Sequence, residues 1–172
     1  MSAPRVIGES IGGGALARAA LDGSAPAGWF LPAPRGVDEW RSHAEAGRSA
    51  GPGARWLETL RPALSPSGAA AERLERVAAG HGVVVTTGQQ PGLFGGPGYT
   101  WLKAISALEL ANRLEREIGV PVAPVFWAAT DDADFDEAAS TMVTLGAETR
   151  RISIERQGPE GLVMAQVPTG DC

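Results

Sequence analysis

Val83-Val84-Val85-Thr86-Thr87-Gly88-Gln89-Gln90-Pro91-Gly92-Leu93-Phe94-Gly95-Gly96-Pro97-Gly98-Tyr99-Thr100 is the stretch that decides the fold. Its first five residues are β-branched, the composition of a strand buried on both faces. Gly88 to Gly98 is too rich in glycine for the interior of a helix or strand. From about Tyr99 to Ile118 apolar residues return every three or four positions, at Trp101, Ile105, Leu108, Ala111, Leu114 and Ile118. Lys103, Glu109, Arg113 and Glu117 form the polar remainder, so the segment is predicted to be a helix burying the apolar set. Gly119 and Pro121 supply its stop. The apolar run from Pro121 to Ala129 reads as a second strand, with Trp127 in the sheet core. Strand, glycine loop, helix and strand make a βαβ unit, whose strands are parallel and whose crossover is right-handed. The predicted class is α/β with a parallel sheet.

Outward from this unit the chain is less regular. Residues 1–36, with Gly12 to Gly14 and Pro26, Pro32 and Pro34, read as an irregular arm with short ordered pieces. Residues 37–80 read as three short helices divided by glycine and proline, the third beginning near Ser67 and stopping at Gly80 or Gly82. The division predicted is therefore an arm and helical lead-in over 1–82 and the first part of a sheet core over 83–172. In the tail, Arg151 to Ile154 and Leu162 to Met164 read as further strands, as in a hairpin. The sheet is not closed by the last residues, and the expectation is a chain that forms only a portion of a larger protein.

Composition excludes several classes. The 172 residues carry 15 basic and 20 acidic side chains, a net charge of −5 that argues against a general nucleic-acid surface. The single cysteine, Cys172, excludes a disulfide framework and any multi-cysteine metal site. No local histidine metal signature is present, no apolar run approaches the ~20 residues that span a bilayer, and the N-terminus lacks a signal-peptide core. The expectation is a soluble, cytoplasmic chain without metal, nucleic-acid or membrane partners. Lys103 is the only lysine beside the arginines, and the two are not equivalent in a site.

Two loops could carry chemistry. In a parallel sheet, ligands sit beyond the carboxyl ends of the strands, and both unusual loops leave strands there. The glycine loop feeds a helix N-terminus, where unpaired N–H groups attract anions; Gln89 and Gln90 add neutral amides, and Lys103 lies about one turn into the helix. Its spacing is neither the dinucleotide fingerprint nor the P-loop. A close-packed glycine turn beside a solvated lysine is the plain alternative. The second strand leads into Thr130-Asp131-Asp132-Ala133-Asp134-Phe135-Asp136-Glu137, five carboxylates in seven residues. Asp131, Asp132 and Asp134, nearest the strand end, are the candidates for a ligand ammonium, a cation or a ribose hydroxyl. Asp136 and Glu137 suit a helix start, and an exposed acidic helix start would by itself explain the whole loop. His81 reads as a helix C-terminal residue and His43 as solvated. Trp29, Trp40 and Trp56 are expected to anchor the N-terminal segment to the core, and Cys172 has no local base to make it a nucleophile.

Thr86-Thr87-Gly88-Gln89-Gln90-Pro91-Gly92-Leu93-Phe94-Gly95-Gly96-Pro97-Gly98-Tyr99-Thr100, followed by Lys103-Ala104-Ile105, resembles the bacillithiol-biosynthesis cysteine-adding enzyme family, whose pattern is TGQQ-x-G-L-x-x-G-P-x-Y-T then K-x-I. Pro121 to Trp127 resembles its PVxPVFW strand. The resemblance covers roughly residues 83–137. It implies a Rossmann-like core related to nucleotidyltransferases and, in the parent, a C-terminal coiled coil that makes a homodimer. It implies a ligase that joins the carboxyl group of cysteine to the amine of glucosaminyl-malate, and so small-molecule substrates. Amide formation from a free carboxylate needs activation, so ATP or another adenine nucleotide is the expected cofactor, with magnesium accompanying it. By match of position, Gly88, Gln89, Gln90 and Gly92 would line the pocket, Gly96 and Pro97 would shape the helix entry, and Tyr99 and Lys103 would face the ligand. The catalytic candidates are Lys103, Asp132 and Asp134, with Asp131 binding.

The chain departs from the pattern in one loop. The family commonly reads G-E-D-H-D-F where Thr130-Asp131-Asp132-Ala133-Asp134-Phe135 stands here, so no histidine chemistry is available at Ala133. Family members are also much longer than 172 residues, which implies an N-terminal portion inactive alone. Two other readings stand beside the ligase: a binding-only paralogue, suggested by Ala133, and a nucleotidyltransferase-type enzyme acting on another amine or thiol precursor.

Overall fold

A computed structural model describes residues 13–30, 33–50 and 55–168; Gly12, Pro32 and Cys172 lie outside them. Residues 1–36 and 37–172 form two separate compact units. In the first, helix α1 (Ala15–Asp22) ends at Gly23, whose φ of 78° is a left-handed cap. The Ser24 side chain, and then its N–H at 2.9 Å from the Asp22 carboxylate, hold that carboxyl below the usual value.

The second unit is built on the predicted βαβ arrangement. Strand β1 (Val83–Gln89) pairs in parallel with β2 (Val122–Ala128), from Val83 opposite Val122 to Gln89 opposite Ala128. The 21-residue helix α5 (Gly98–Ile118) connects them and packs on both strands. The three lead-in helices are α2 (Val37–Ala50), α3 (Trp56–Leu60) and α4 (Gly68–Arg76), the last followed by a wide turn over Val77–His81.

Strand alternation sorts the core into two layers. Val83, Val85 and Val122 face α5 and α2, packing with Ala44, Ala111, Leu114 and Ile118. Val84, Ala123 and Val125 face the other way, onto Leu57, Leu74, Val77 and Ala78. The sheet is thus a thin middle layer between helices, and Val122 and Ala123 are fully buried. α4 is tied to α5 by a polar clamp. Arg73 donates to Glu115 at 2.9 and 3.1 Å and to Asn112 at 2.8 Å, and Arg76 adds a 3.0 Å bond to the same carboxylate. Glu115 also accepts the Val122 N–H at 3.3 Å, anchoring the start of β2.

Four expectations are corrected. Only the C-terminal half of the α5 stripe is buried: Ala111, Leu114 and Ile118 are covered, but Trp101, Ile105 and Leu108 stand exposed because no element lies over the first half of the helix in the described residues. Trp127 and Trp29 are also exposed, at 60% and 65%. β1 is half-buried, since nothing pairs with its second edge among the described residues. The hairpin is formed by β3 (Ser140–Leu145) with β4 (Glu148–Ser153), turning at Gly146. Leu162 to Met164 is not a strand. Confined between Gly161, at φ 78°, and Pro168, the segment instead makes a 3-10 turn over Met164–Gln166. Trp40 and Trp56 do pack against the two core layers.

Candidate functional site

The parallel register brings both loops to one edge of the sheet, and a hydrogen-bonded chain crosses between them. Lys103, one turn into α5, donates from Nζ to Gln89 Oε1 at 2.7 Å and lies 3.4 Å from the Gly88 carbonyl. Gln89 Nε2 is 3.4 Å from both Gln90 Oε1 and the Tyr99 hydroxyl. Gln90 Nε2 donates to Asp132 Oδ2 at 2.7 Å. The end bonds are short and the middle ones long and weak. Every amide points its oxygen toward the ammonium and its NH₂ toward the carboxylate. The Lys103 ammonium also sits 5.8 Å from the Tyr99 ring centre, at the outer reach of a cation–π contact.

Asp132 has a second anchor, the Asp134 N–H at 2.7 Å on Oδ1. The Gln90 bond, with that backbone N–H behind it, holds the Asp132 carboxyl below its usual value, so it is ionised at neutral pH. Asp134 is the N-cap of the short helix α6 (Phe135–Ala138), its carboxylate accepting the Glu137 N–H at 3.0 Å. Asp136 and Glu137 lie in its first turn. Asp131 and Ala133 are exposed. The tail braces this loop from below: Met164 N–H donates to the Asp132 carbonyl at 2.8 Å and Ala165 N–H to the Thr130 carbonyl at 2.9 Å.

The glycine loop folds tightly on itself. A Cβ on Gly92 would stand 2.7 Å from the Gly96 Cα, and one on Gly88 would stand 2.7 Å from the Trp127 carbonyl oxygen. Gly95 and Gly96 take φ of 87° and 78°, conformations open to glycine, while Phe94 is held at φ 53°. Beside the loop an open groove of about 430 Å³ runs between β1 and α5, lined by Thr86, Thr87, Tyr99, Leu102, Lys103 and Ser106. A larger apolar groove of about 1050 Å³ lies toward α3 and α4, against Trp56, Leu64, Val84 and Val125. The smaller one is lined by the only lysine and the only tyrosine of the sequence.

Two residues not singled out in the sequence appear here. The Arg156 guanidinium stacks on the Phe135 ring at 4.3 Å, with Nη1 buried and unpartnered. Thr100 is buried in the first turn of α5 with its hydroxyl unpartnered. Thr100 stands in the sequence only as the closing threonine of the family pattern, with nothing to mark it as buried, and Arg156 lies outside both loops. Among the described residues, no group of three or more His, Cys, Asp or Glu is placed to hold a metal, and no helix is long and apolar enough to cross a membrane.

A family model described as Bacillithiol biosynthesis BshC, N-terminal Rossmann-like domain, matches residues 44–171. The chain is 43% identical over 106 residues to a Heliobacterium modesticaldum protein named "Putative cysteine ligase BshC", a match covering 62% of this chain and 19% of that protein. A protein of the same name from Exiguobacterium sibiricum is 44% identical over 92 residues, covering 53% of this chain and 17% of its own. The Symbiobacterium thermophilum protein of that name is 37% identical over 101 residues, 59% of this chain and 18% of its own. The chain spans about a fifth of the length of the curated relatives it matches.

Proposed function

The chain belongs to the bacillithiol biosynthesis BshC family through its N-terminal Rossmann-like domain, and from that premise we propose that it supplies the substrate-binding edge of a cysteine ligase. The reaction joins the carboxyl group of cysteine to the amine of glucosaminyl-malate. The observation that carries this reading is the chain of bonds from Lys103 through Gln89 and Gln90 to Asp132. It offers an ammonium for an anionic group and a carboxylate for an amine on one sheet edge, the two charges that such a pair of substrates requires.

In this reading Lys103 neutralises a carboxylate or phosphate as a compact point charge. Tyr99 orients that group through its hydroxyl. Asp132, ionised, pairs with the ammonium form of the amine and holds it beside the carboxyl group. Asp134 acts by keeping Asp132 in place through its backbone N–H.

The residues fit an adenine nucleotide's phosphates, because the glycine loop leads into a first turn of α5 that has no side-chain cap and no acidic residue, and a Cβ on Gly98 there would meet open space. A nucleotide, when bound, supplies activation of the carboxyl group. Gly92, Gly96 and Lys103 would hold its phosphates, and magnesium would arrive with it. The deciding assay incubates the full-length protein with cysteine and glucosaminyl-malate, with and without ATP, and follows amide product by mass spectrometry. Product that falls at least ten-fold in Lys103→Ala supports the reading; no amide under any nucleotide condition overturns it. Ala133, which stands where the family commonly has histidine, favours a binding-only second reading. Substrate binding without turnover in the same assay would establish it.

A further inference from the structure

The Thr100 hydroxyl is the strongest unexplained group in the second unit. Thr100 is 8% exposed, and its Oγ1 is closed to solvent without any hydrogen-bond partner. A buried hydroxyl left unpaired is costly, and such groups in native proteins usually await a ligand, ion or water. Its direction is known. A Cβ on Gly96 would stand 3.3 Å from Oγ1, so the hydroxyl faces the turn of the glycine loop.

The helix end around it is also uncompensated. α5 starts after Pro97, which offers no side-chain cap, and its first turn holds no acidic residue. The Thr100 N–H is taken by the Pro97 carbonyl at 2.9 Å, but those of Gly98 and Tyr99 have no partner within the helix. The positive end of a 21-residue helix therefore meets a buried donor and two free N–H groups.

We propose that the first turn of α5 binds an oxyanion, with the Thr100 hydroxyl as its side-chain donor and the Gly98 and Tyr99 N–H groups beside it. This deepens the ligase reading and rests on it for the source of the anion: a substrate carboxylate or a nucleotide phosphate. Lys103 is a separate cation, engaged by Gln89 at 2.7 Å. Because Oγ1 is shut from solvent beside Gly96, an anion reaches it only with a shift of the glycine loop. The site holds the oxyanion by hydrogen bonds and dipole, and no covalent step is involved.

The test is calorimetric titration of the full-length protein with inorganic phosphate, ATP, cysteine and malate, each against wild type, Thr100→Val and Thr100→Ser. Valine keeps the shape and removes the hydroxyl. It is expected to weaken binding of the phosphate probes or of the carboxylate probes at least ten-fold, the loss of one hydrogen bond to a charged group. The affected pair of probes identifies the source. Thr100→Ser is expected to retain affinity. Thermal unfolding without added anion should be unchanged or higher for Thr100→Val, since an unsatisfied polar group is gone. Equal affinity of Thr100→Val and wild type for all four probes overturns the proposal, as does wild type binding none. Thr100-dependent binding in a protein that makes no amide would overturn the ligase reading and leave the oxyanion site standing.

Discussion

Replacing Glu115 with alanine tests the clamp that holds the lead-in helices to the sheet. Its carboxylate accepts four bonds: two from Arg73, one from Arg76 and one from the Val122 N–H. The side chains of Arg73 and Glu115 are only 16% and 25% exposed, whereas that of Arg76 is 51% exposed. Removing the partner of a fully buried charge costs about 3–5 kcal/mol. Partial exposure and the Asn112 bond that Arg73 keeps reduce this, and the orphaned Val122 N–H adds a little back. The expected loss is about 2–3 kcal/mol in denaturant unfolding at pH 7. A double-mutant cycle with Arg73→Ala should show coupling above about 1 kcal/mol, and one with Arg76→Ala coupling nearer the surface-pair range of about 0.2–1 kcal/mol. A loss below about 0.5 kcal/mol for Glu115→Ala, or equal coupling to both arginines, would refute the argument.

The same carboxyl gives that difference a pH dependence. Burial pushes the Glu115 carboxyl up, but the Val122 N–H and then the arginine bonds outweigh it and leave it below the ordinary value of 4.5. A group whose folded value is depressed stabilises above its unfolded value and loses that contribution as pH falls through the folded one. The gap between wild type and Glu115→Ala should thus be full at pH 7 and shrink steadily below pH 4.5. A gap that persists unchanged into acid would place the stabilisation in packing.

Two further outcomes follow from the loops. Gly92→Ala puts a methyl 2.7 Å from the Gly96 Cα, so the loop must shift; stability in denaturant unfolding should fall by about 1–3 kcal/mol, and phosphate binding by calorimetry should fall. Gln90→Leu removes the bond that contributes most to lowering the Asp132 carboxyl; NMR titration should show that carboxyl moving back toward 3.8, and no movement would mean the Asp134 N–H alone holds it.

The βαβ unit was readable because its signals are local: a β-branched run, a glycine loop, a helical period and a Gly–Pro stop each mark their own residues. Burial was less so, because it depends on what lies opposite. The Trp101, Ile105 and Leu108 stripe has a valid helical period, yet those residues are exposed in the described part while the smaller Ala107 and Ala111 are buried. The hairpin was misplaced because Ser140 to Leu145 mixes Thr, Met, Val and Leu without a clear alternation, whereas Leu162 to Met164 is apolar but too tightly bounded to extend. At the site, topology placed both loops on one edge. It could not show that Asp134 is spent on capping α6, or that Thr100 lies buried without a partner.

The glutamine pair shows why two adjacent amides serve this edge. Neighbouring residues of a strand face opposite sides. Gln89, the last residue of β1, meets Lys103 and Tyr99 on α5, and Gln90, the next, meets Asp132 on the acidic loop. One glutamine could not reach both. A charged residue at either position would form an ion pair with Lys103 or repel Asp132, and would consume one charge of the site. Neutral amides instead hold the ammonium and the carboxylate in fixed places without joining them, and their aligned dipoles stabilise both charges at once. That leaves Lys103 and Asp132 each able to meet a partner of opposite charge, as the proposed joining of a carboxylate and an amine requires.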